Sequence, residues 1–136
     1  MAVELPESIR KALQEPNFWH VATVNPDGSP HTTAVWADLR DGKILINSAL
    51  GRKKPRNLER EPRVALSWHT HEGGGYHSAG IQGRVVESYT GDRAEKDIDD
   101  LAQKYLGQSP YPWRAPGEQR ISFLVEPTHV YHQDYS

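Results

Sequence analysis

Leu5, Ile9 and Leu13 recur every four residues, which lines them up on one helical face. Pro6 fits the first turn of such a helix, where its missing N–H costs nothing, and Pro16 ends it. A run of aromatic and β-branched residues over 18–24 (FWHVATV) predicts a strand. The turn tetrapeptide Asn25-Pro26-Asp27-Gly28 follows, and 31–36 (HTTAVW) reads as the returning strand. A second turn at Arg40-Asp41-Gly42 introduces a third strand over 43–47 (KILIN), giving an antiparallel meander.

Residues 51–61 favour a helix, with Pro55 tolerable only in its first turn. Over 63–69 the chain alternates, with Val64, Leu66 and Trp68 on one face and Ala65, Ser67 and His69 on the other. A glycine turn over 72–75 leads into a long strand over 77–89, where Gly80 and Gly83 mark bulges or close approaches. Ala94, Ile98, Leu101, Ala102 and Tyr105 have helical spacing over 92–106, and Gly107 stops that helix. A loop dense in proline and aromatic residues spans 108–117. Two closing strands, 121–126 and 128–133, are separated by Pro127. About seven antiparallel strands joined by three short helices predict a mainly β single domain over 1–136. A small barrel or curled sheet protects its edges best at this size.

Composition sharpens this picture. Only 36% of the residues are hydrophobic, yet there are four Trp, six Tyr and two Phe. So thin a core with so many aromatics is expected to complete its burial against a second copy rather than as a monomer with exposed rings. A net charge of −2 argues against a nucleic-acid partner. There is no cysteine, which excludes disulfides, zinc ribbons, iron–sulfur clusters and thiol nucleophiles. No apolar run approaches the roughly 18 residues of a membrane span, and the first residues lack a signal-peptide pattern. A soluble, cytoplasmic protein without a membrane partner is expected.

The most informative segment is Arg52, Lys53, Lys54 and Arg56, four cations in five residues between a strand and a helix. Free N–H groups and the helix dipole favour anions there, so added cations suit a phosphate. Asn57 lies on the same turn, and Asn47 and Ser48 end the preceding strand. The plainer reading is a solvated basic face. His69 and His71 would share a strand face, but no carboxylate completes a metal site, and no metal is expected. No phosphate-binding glycine loop, nucleophile elbow or nucleophile–base pair occurs. If the chain is an enzyme, a cofactor carries the chemistry.

The order of several stretches resembles the split β-barrel flavin and deazaflavin oxidoreductases related to pyridoxamine 5′-phosphate oxidase. They are Ala22-Thr23-Val24 with Asp27-Gly28-Ser29-Pro30-His31 and Val35-Trp36; Ile44-Leu45-Ile46-Asn47 leading to Arg52-Lys53-Lys54-Pro55-Arg56-Asn57-Leu58; Arg60-Glu61-Pro62-Arg63-Val64-Ala65-Leu66; and Gln82-Gly83-Arg84-Val85 with Pro127-Thr128-His129-Val130-Tyr131. The segment after the third strand looks most like the branch using the deazaflavin coenzyme F420. That resemblance implies a cofactor phosphate gripped by Arg52, Lys54 and Arg56, with Asn57 beside them. It also implies Asn47 and Ser48 along the cofactor chain, Thr32, Thr33 and Ala34 bordering the ring, and a ring-facing group near Tyr76. Lys53 is an additional cation, and the adjacent pair Arg52-Lys53 equally matches the branch that binds FMN. The resemblance further implies a homodimer with cofactor at the subunit interface and hydride transfer to an activated double bond of a small organic substrate. An FMN-dependent oxidase or reductase, and a non-catalytic cofactor-binding protein, stay open. The longer C-terminal segment with which pyridoxamine phosphate oxidases hold pyridoxal phosphate is not matched, so that activity is not expected.

Overall fold

Three α-helices and seven strands follow one another in the computed structural model, which describes residues 2–135. Helix α1 (Glu7–Gln14) leads into β1 (Trp19–Val24), β2 (Pro30–Val35), β3 (Ala37–Arg40) and β4 (Lys43–Ala49). Then come α2 (Lys53–Arg60), β5 (Arg63–Thr70), a 3-10 turn at Glu72–Gly74, β6 (Tyr76–Tyr89), α3 (Asp92–Leu106) and β7 (Arg120–Tyr135). The strands form one antiparallel sheet in the order β2-β1-β5-β6-β7-β4-β3.

That order makes β2 and β3 the two edges, yet only Trp36 separates them in the chain. A flat seven-stranded sheet would hold its edges about 29 Å apart. A one-residue link between them requires the sheet to roll up. The result is the expected split barrel, open along a seam at Trp36.

The interior is filled by Trp19, Val21, Ile44, Ile46, Leu66, Ile81, Phe123 and Val125, with Ile9 and Leu13 of α1 packed against them. Leu5, Ile9 and Leu13 are all buried, as their spacing predicts. β4 and β7 are covered on both faces. Leu45 and Leu124, which alternate out of the interior set, are also buried, and α3 packs on these strands. Elsewhere on the outer face Ala22, Ala65, Ser67 and Gly80, with His20, Gln82 and Tyr131 around them, line a shallow depression of about 210 Å³. No helix among the described residues is long and apolar enough to cross a membrane.

Three strand expectations change. The strand over 43–47 pairs with β3 and β7 rather than β2, so the meander stops after two strands. Its true hairpin partner, β3, is four residues long and too short for alternation to reveal. Asp41 (φ 52°) and Gly42 (φ 78°) form the two-residue turn between them, a left-handed pair of the kind that suits strand twist. The two closing strands are one, because β7 runs through Pro127. A register shift between Gln82 and Gly83 accommodates it, pairing Gln82 with His129 and Gly83 with Pro127.

The glycines of β6 differ in consequence. A Cβ on Gly83 would stand 2.6 Å from Val125 Cγ1 and 2.7 Å from the Glu126 carbonyl oxygen, which is backbone. At Gly80 it would meet only the Tyr131 ring, which is 65% exposed and free to swing. Gly83→Ala is expected to cost about 2 kcal/mol by overpacking, and Gly80→Ala much less. Urea unfolding of both variants checks this; equal midpoints would contradict the pairing at the bulge.

Two polar clusters fix α3. Asp97, buried, accepts hydrogen bonds from Arg40 Nη1 (2.8 Å), Ser122 Oγ (2.7 Å) and the Tyr89 hydroxyl. One turn from the other end, Lys104 donates to the carbonyls of Leu13 and Ala37 and lies 3.3 Å from Asp38. Its burial, opposed by Asp38, holds its ammonium below the ordinary lysine pKa.

Candidate functional site

The seam opens into a cleft of about 250 Å³. Ala34, Val35 and Trp36 form one lip, Asn47 of β4 and the start of α2 the other. Ile98 and Leu101 of α3 and the segment after it close the far side. One end is cationic and the other aromatic.

Arg52, Lys54 and Arg120 make the cationic end. Arg52 sits at the N-cap of α2. Arg120 is 3% exposed, and its Nε donates to Asn47 Oδ1 at 2.9 Å. Asn47 is itself held by its amide, which donates to the Ala94 carbonyl and Ser122 Oγ. Among the described residues the acid that meets the side chains of these cations is Glu118, 3.4 Å from Arg52 Nη2 and 3.3 Å from Arg120 Nη1, while Glu95 Oε2 accepts the Arg120 backbone amide at 2.8 Å. Lys54 has no hydrogen bond or carboxylate partner among the described residues. Burial, with Arg52 and Arg120 nearby, pushes its ammonium down to about 8.

A phosphate would therefore meet three cations below that value and two above it. Affinity for a phosphate monoester is expected to be greatest between about pH 6, where its second ionisation lies, and 8, and to fall as Lys54 deprotonates. Binding must also raise the Lys54 pKa, so calorimetry near pH 8.5 in buffers of different ionisation enthalpy should show proton uptake. No uptake would remove Lys54 from the site. The same shift has a stability sign. Between about 8 and 10.5 the unfolded chain holds the Lys54 proton more tightly, so this group makes stability rise with pH across that window.

The aromatic end is built on Trp36. Its ring stacks on Tyr105 (5.3 Å between centroids, 12° between planes), meets Tyr111 edge-on at 6.0 Å and lies 6.2 Å from Trp113. Phe18 packs against Tyr105 at 5.7 Å. Tyr105 is a fixed post: its hydroxyl donates to the Asn17 carbonyl and accepts from the Ala37 amide, and burial raises its pKa to about 12. Phe18 and Trp113, 60% and 63% exposed, form the rim. A cleft lined by aromatic rings with a few convergent polar groups has the makeup of a small-molecule site.

Of the residues singled out in the sequence, the cleft brings together Ala34, Asn47, Arg52 and Lys54. Lys53 is exposed, and its charge acts on Asp27. Arg56 is exposed and donates to the Gly51 carbonyl at 2.8 Å. Asn57 is buried and committed elsewhere. Its amide donates to Thr23 Oγ1 and Asn25 Oδ1, and its oxygen accepts from Arg60, so it ties α2 to the end of β1. Ser48 and Thr33 present buried hydroxyl oxygens without a hydrogen-bond partner. Thr32 lies in the outer depression. Tyr76 packs with His69, His71 and Tyr135 at the β5–β6 hairpin. His69 and His71 have ring centroids 6.3 Å apart. Among the described residues no group of three or more metal-ligating side chains assembles.

Sequence reasoning missed Arg120, Glu118, Tyr111 and Trp113. The density of aromatics over 108–117 was a visible signal for the last two. Arg120 carried none, since it opens a strand far from the basic run. Asp99 and Glu95 both pair with Arg114, and Asp99 accepts the Tyr111 amide, which pins the aromatic loop to α3.

A family model described as pyridoxamine 5′-phosphate oxidase matches residues 5–134. A pyridoxine/pyridoxamine 5′-phosphate oxidase of Bacteroides fragilis is 37% identical over 71 residues, which is 50% of this chain; the chain covers only 30% of that oxidase's length. A solved F420 reductase aligns with a TM-score of 0.78 at 26% identity, over 93% of this chain and 98% of that one. A conserved hypothetical protein of Mycobacterium tuberculosis shares the fold, with a TM-score of 0.77 at 20% identity over 98% of this chain and 86% of that one. With a match running through nearly every element from α1 to β7, this chain belongs to the pyridoxamine 5′-phosphate oxidase family.

Proposed function

We propose that this chain is an oxidoreductase that holds the reduced deazaflavin coenzyme F420 in the seam cleft and directs its hydride to an activated double bond of a small organic substrate. The observation that carries this reading is the convergence of Arg52, Lys54 and Arg120, with one carboxylate among them, at the end of an aromatic-lined slot. Likeness to the F420 reductase over nearly its whole length supports the choice of coenzyme.

Arg52, Lys54 and Arg120 would hold the phosphate, and Asn47 keeps Arg120 aimed. Lys53 and Arg56 continue the positive surface outward along α2. The chain at Thr32, Thr33 and Ala34 would border the ring, with Trp36 as its wall and Trp113 excluding water at the rim. The unpartnered hydroxyls of Thr33 and Ser48 lie outside the lining of the cleft, Ser48 on the interior face of β4 with Ile44 and Ile46. Hydride chemistry is the coenzyme's own; the chain supplies binding and orientation. Charge-assisted hydrogen bonds of about 1.5–3 kcal/mol each make two or three such contacts a large part of a micromolar affinity of about −8 kcal/mol. A second copy would pack on the outer face of the sheet and could bring its own Tyr76 hairpin into play.

A second reading has its own support. Three cations and one acid leave two positive charges when Lys54 is protonated, and the phosphate monoester of FMN is a dianion. An FMN-dependent oxidase or reductase fits that balance.

Anaerobic mixing of the protein with reduced F420 and a quinone or enone tests the proposal. Oxidised coenzyme should reappear in the visible spectrum at a rate proportional to protein. Turnover with reduced FMN alone would select the second reading, and tight binding without turnover of either would leave a carrier instead of an enzyme.

A further inference from the structure

The cationic end of the cleft is backed by an acid that contacts two of its arginines. Glu118 lies two residues before Arg120, and its side chain is only 7% exposed. Its two oxygens divide between the arginines, Oε1 at 3.4 Å from Arg52 Nη2 and Oε2 at 3.3 Å from Arg120 Nη1. The second contact is an ion pair by distance alone. Neither Oε2 nor Nη1 has a hydrogen bond, although both atoms are buried. Arg120 has no freedom to improve it, being held by Asn47 on one side and lying 5.2 Å from the Tyr111 ring centroid on the other. Buried polar atoms left in this condition are rare and costly, and here they sit where three cations meet.

We propose that Glu118 is an internal competitor for the anion site: an incoming phosphate takes Arg52 and Arg120 away from the Glu118 carboxylate, so Glu118 sets the threshold for loading the cleft. This rests on the reading of the cleft as a phosphate site and adds a residue to it. A carboxylate offers two acceptor oxygens and one charge. A phosphate monoester, such as that of FMN, offers three oxygens and close to two charges, so it can engage Arg52, Lys54 and Arg120 together, whereas the phosphodiester of F420 brings one charge and two free oxygens and displaces Glu118 less strongly. A tethered group acts at an effective concentration in the millimolar range or above. Free carboxylates of the cell gain nothing by replacing a like group already in place, whereas a phosphate does.

Glu118→Gln keeps the shape and removes the charge. Calorimetric titration with inorganic phosphate and phenyl phosphate should show affinity about tenfold tighter in E118Q than in the native chain, the equivalent of one charge-assisted contact. Should E118Q fold poorly, Glu118→Asp serves instead: it withdraws the carboxylate by one methylene and is expected to fall between the two. Equal or weaker phosphate binding by a folded variant would mean that Glu118 braces Arg120 for the ligand, and would overturn the proposal while leaving the phosphate site intact. If neither protein binds either probe, the phosphate reading fails and the proposal falls with it.

Discussion

Replacing Arg52 and Lys54 together by alanine should weaken binding of F420 or FMN by about a hundredfold, the loss of ~3 kcal/mol expected when two charge-assisted contacts to one phosphate are removed. The expectation follows from how few partners these side chains have within the protein. Among the described residues Lys54 has no polar partner, and Arg52, 56% exposed, meets only the distant Glu118 carboxylate. Neither is needed for the fold, so the double variant should unfold at nearly the native temperature. Lys54→Ala alone should be slightly more stable than the native chain at pH 7, because it removes a half-buried ammonium that two arginines repel. Affinity retained within about threefold, or ~0.65 kcal/mol, would show that the phosphate lies elsewhere.

Asp97→Ala should be strongly destabilising for a polar substitution, at about 3 kcal/mol. Removing one partner from a buried charged cluster typically costs 3–5 kcal/mol; the lower end applies because Arg40 is one-third exposed and can find water. Left behind are Ser122 Oγ, fully buried, and the Tyr89 hydroxyl, whose pKa burial already raises. The melting temperature should fall by roughly 10 °C. Because Asp97 joins α3 to β3, β6 and β7, its loss also loosens the wall that Ile98 and Leu101 give the cleft. Coenzyme affinity should therefore drop although Asp97 touches no ligand. Asp97→Asn retains an acceptor for Arg40 and should recover part of both losses. A melting temperature within 2–3 °C of native, about 1 kcal/mol or less, would show that the cluster is a surface decoration.

Periodicity carried the helices almost residue for residue, because each buries a distinct stripe: Leu5, Ile9 and Leu13 in α1, and Ala94, Ile98, Leu101 and Ala102 in α3. Strand existence was equally plain, but strand partnership was not. That β4 leaves β2 for β7 depends on closure of the sheet, which no local spacing encodes. Pro127 read as a break, but the register slips by one residue on β7 at the adjacent Thr128, and the chain continues through it as one strand. The site divides the same way. Arg52 and Lys54 stood out as a local run, and two neighbours in that run, Lys53 and Arg56, are indistinguishable from them by composition yet turn outward. Asn57 had the chemistry of a ligand and was drawn into a structural bond with Thr23. Arg120 joins the cleft, with Glu118 beside it, only because β7 pairs with β4 beside Asn47, a non-local fact.

Fluorescence titration of the purified protein with F420, FMN and riboflavin tests the account most directly, since riboflavin carries the flavin ring and no phosphate. Micromolar binding of at least one phosphorylated cofactor, weakening with salt, and binding of riboflavin at least tenfold poorer than FMN, or about 1.4 kcal/mol, is the result predicted. Riboflavin bound as tightly as FMN, with no salt dependence, would contradict it.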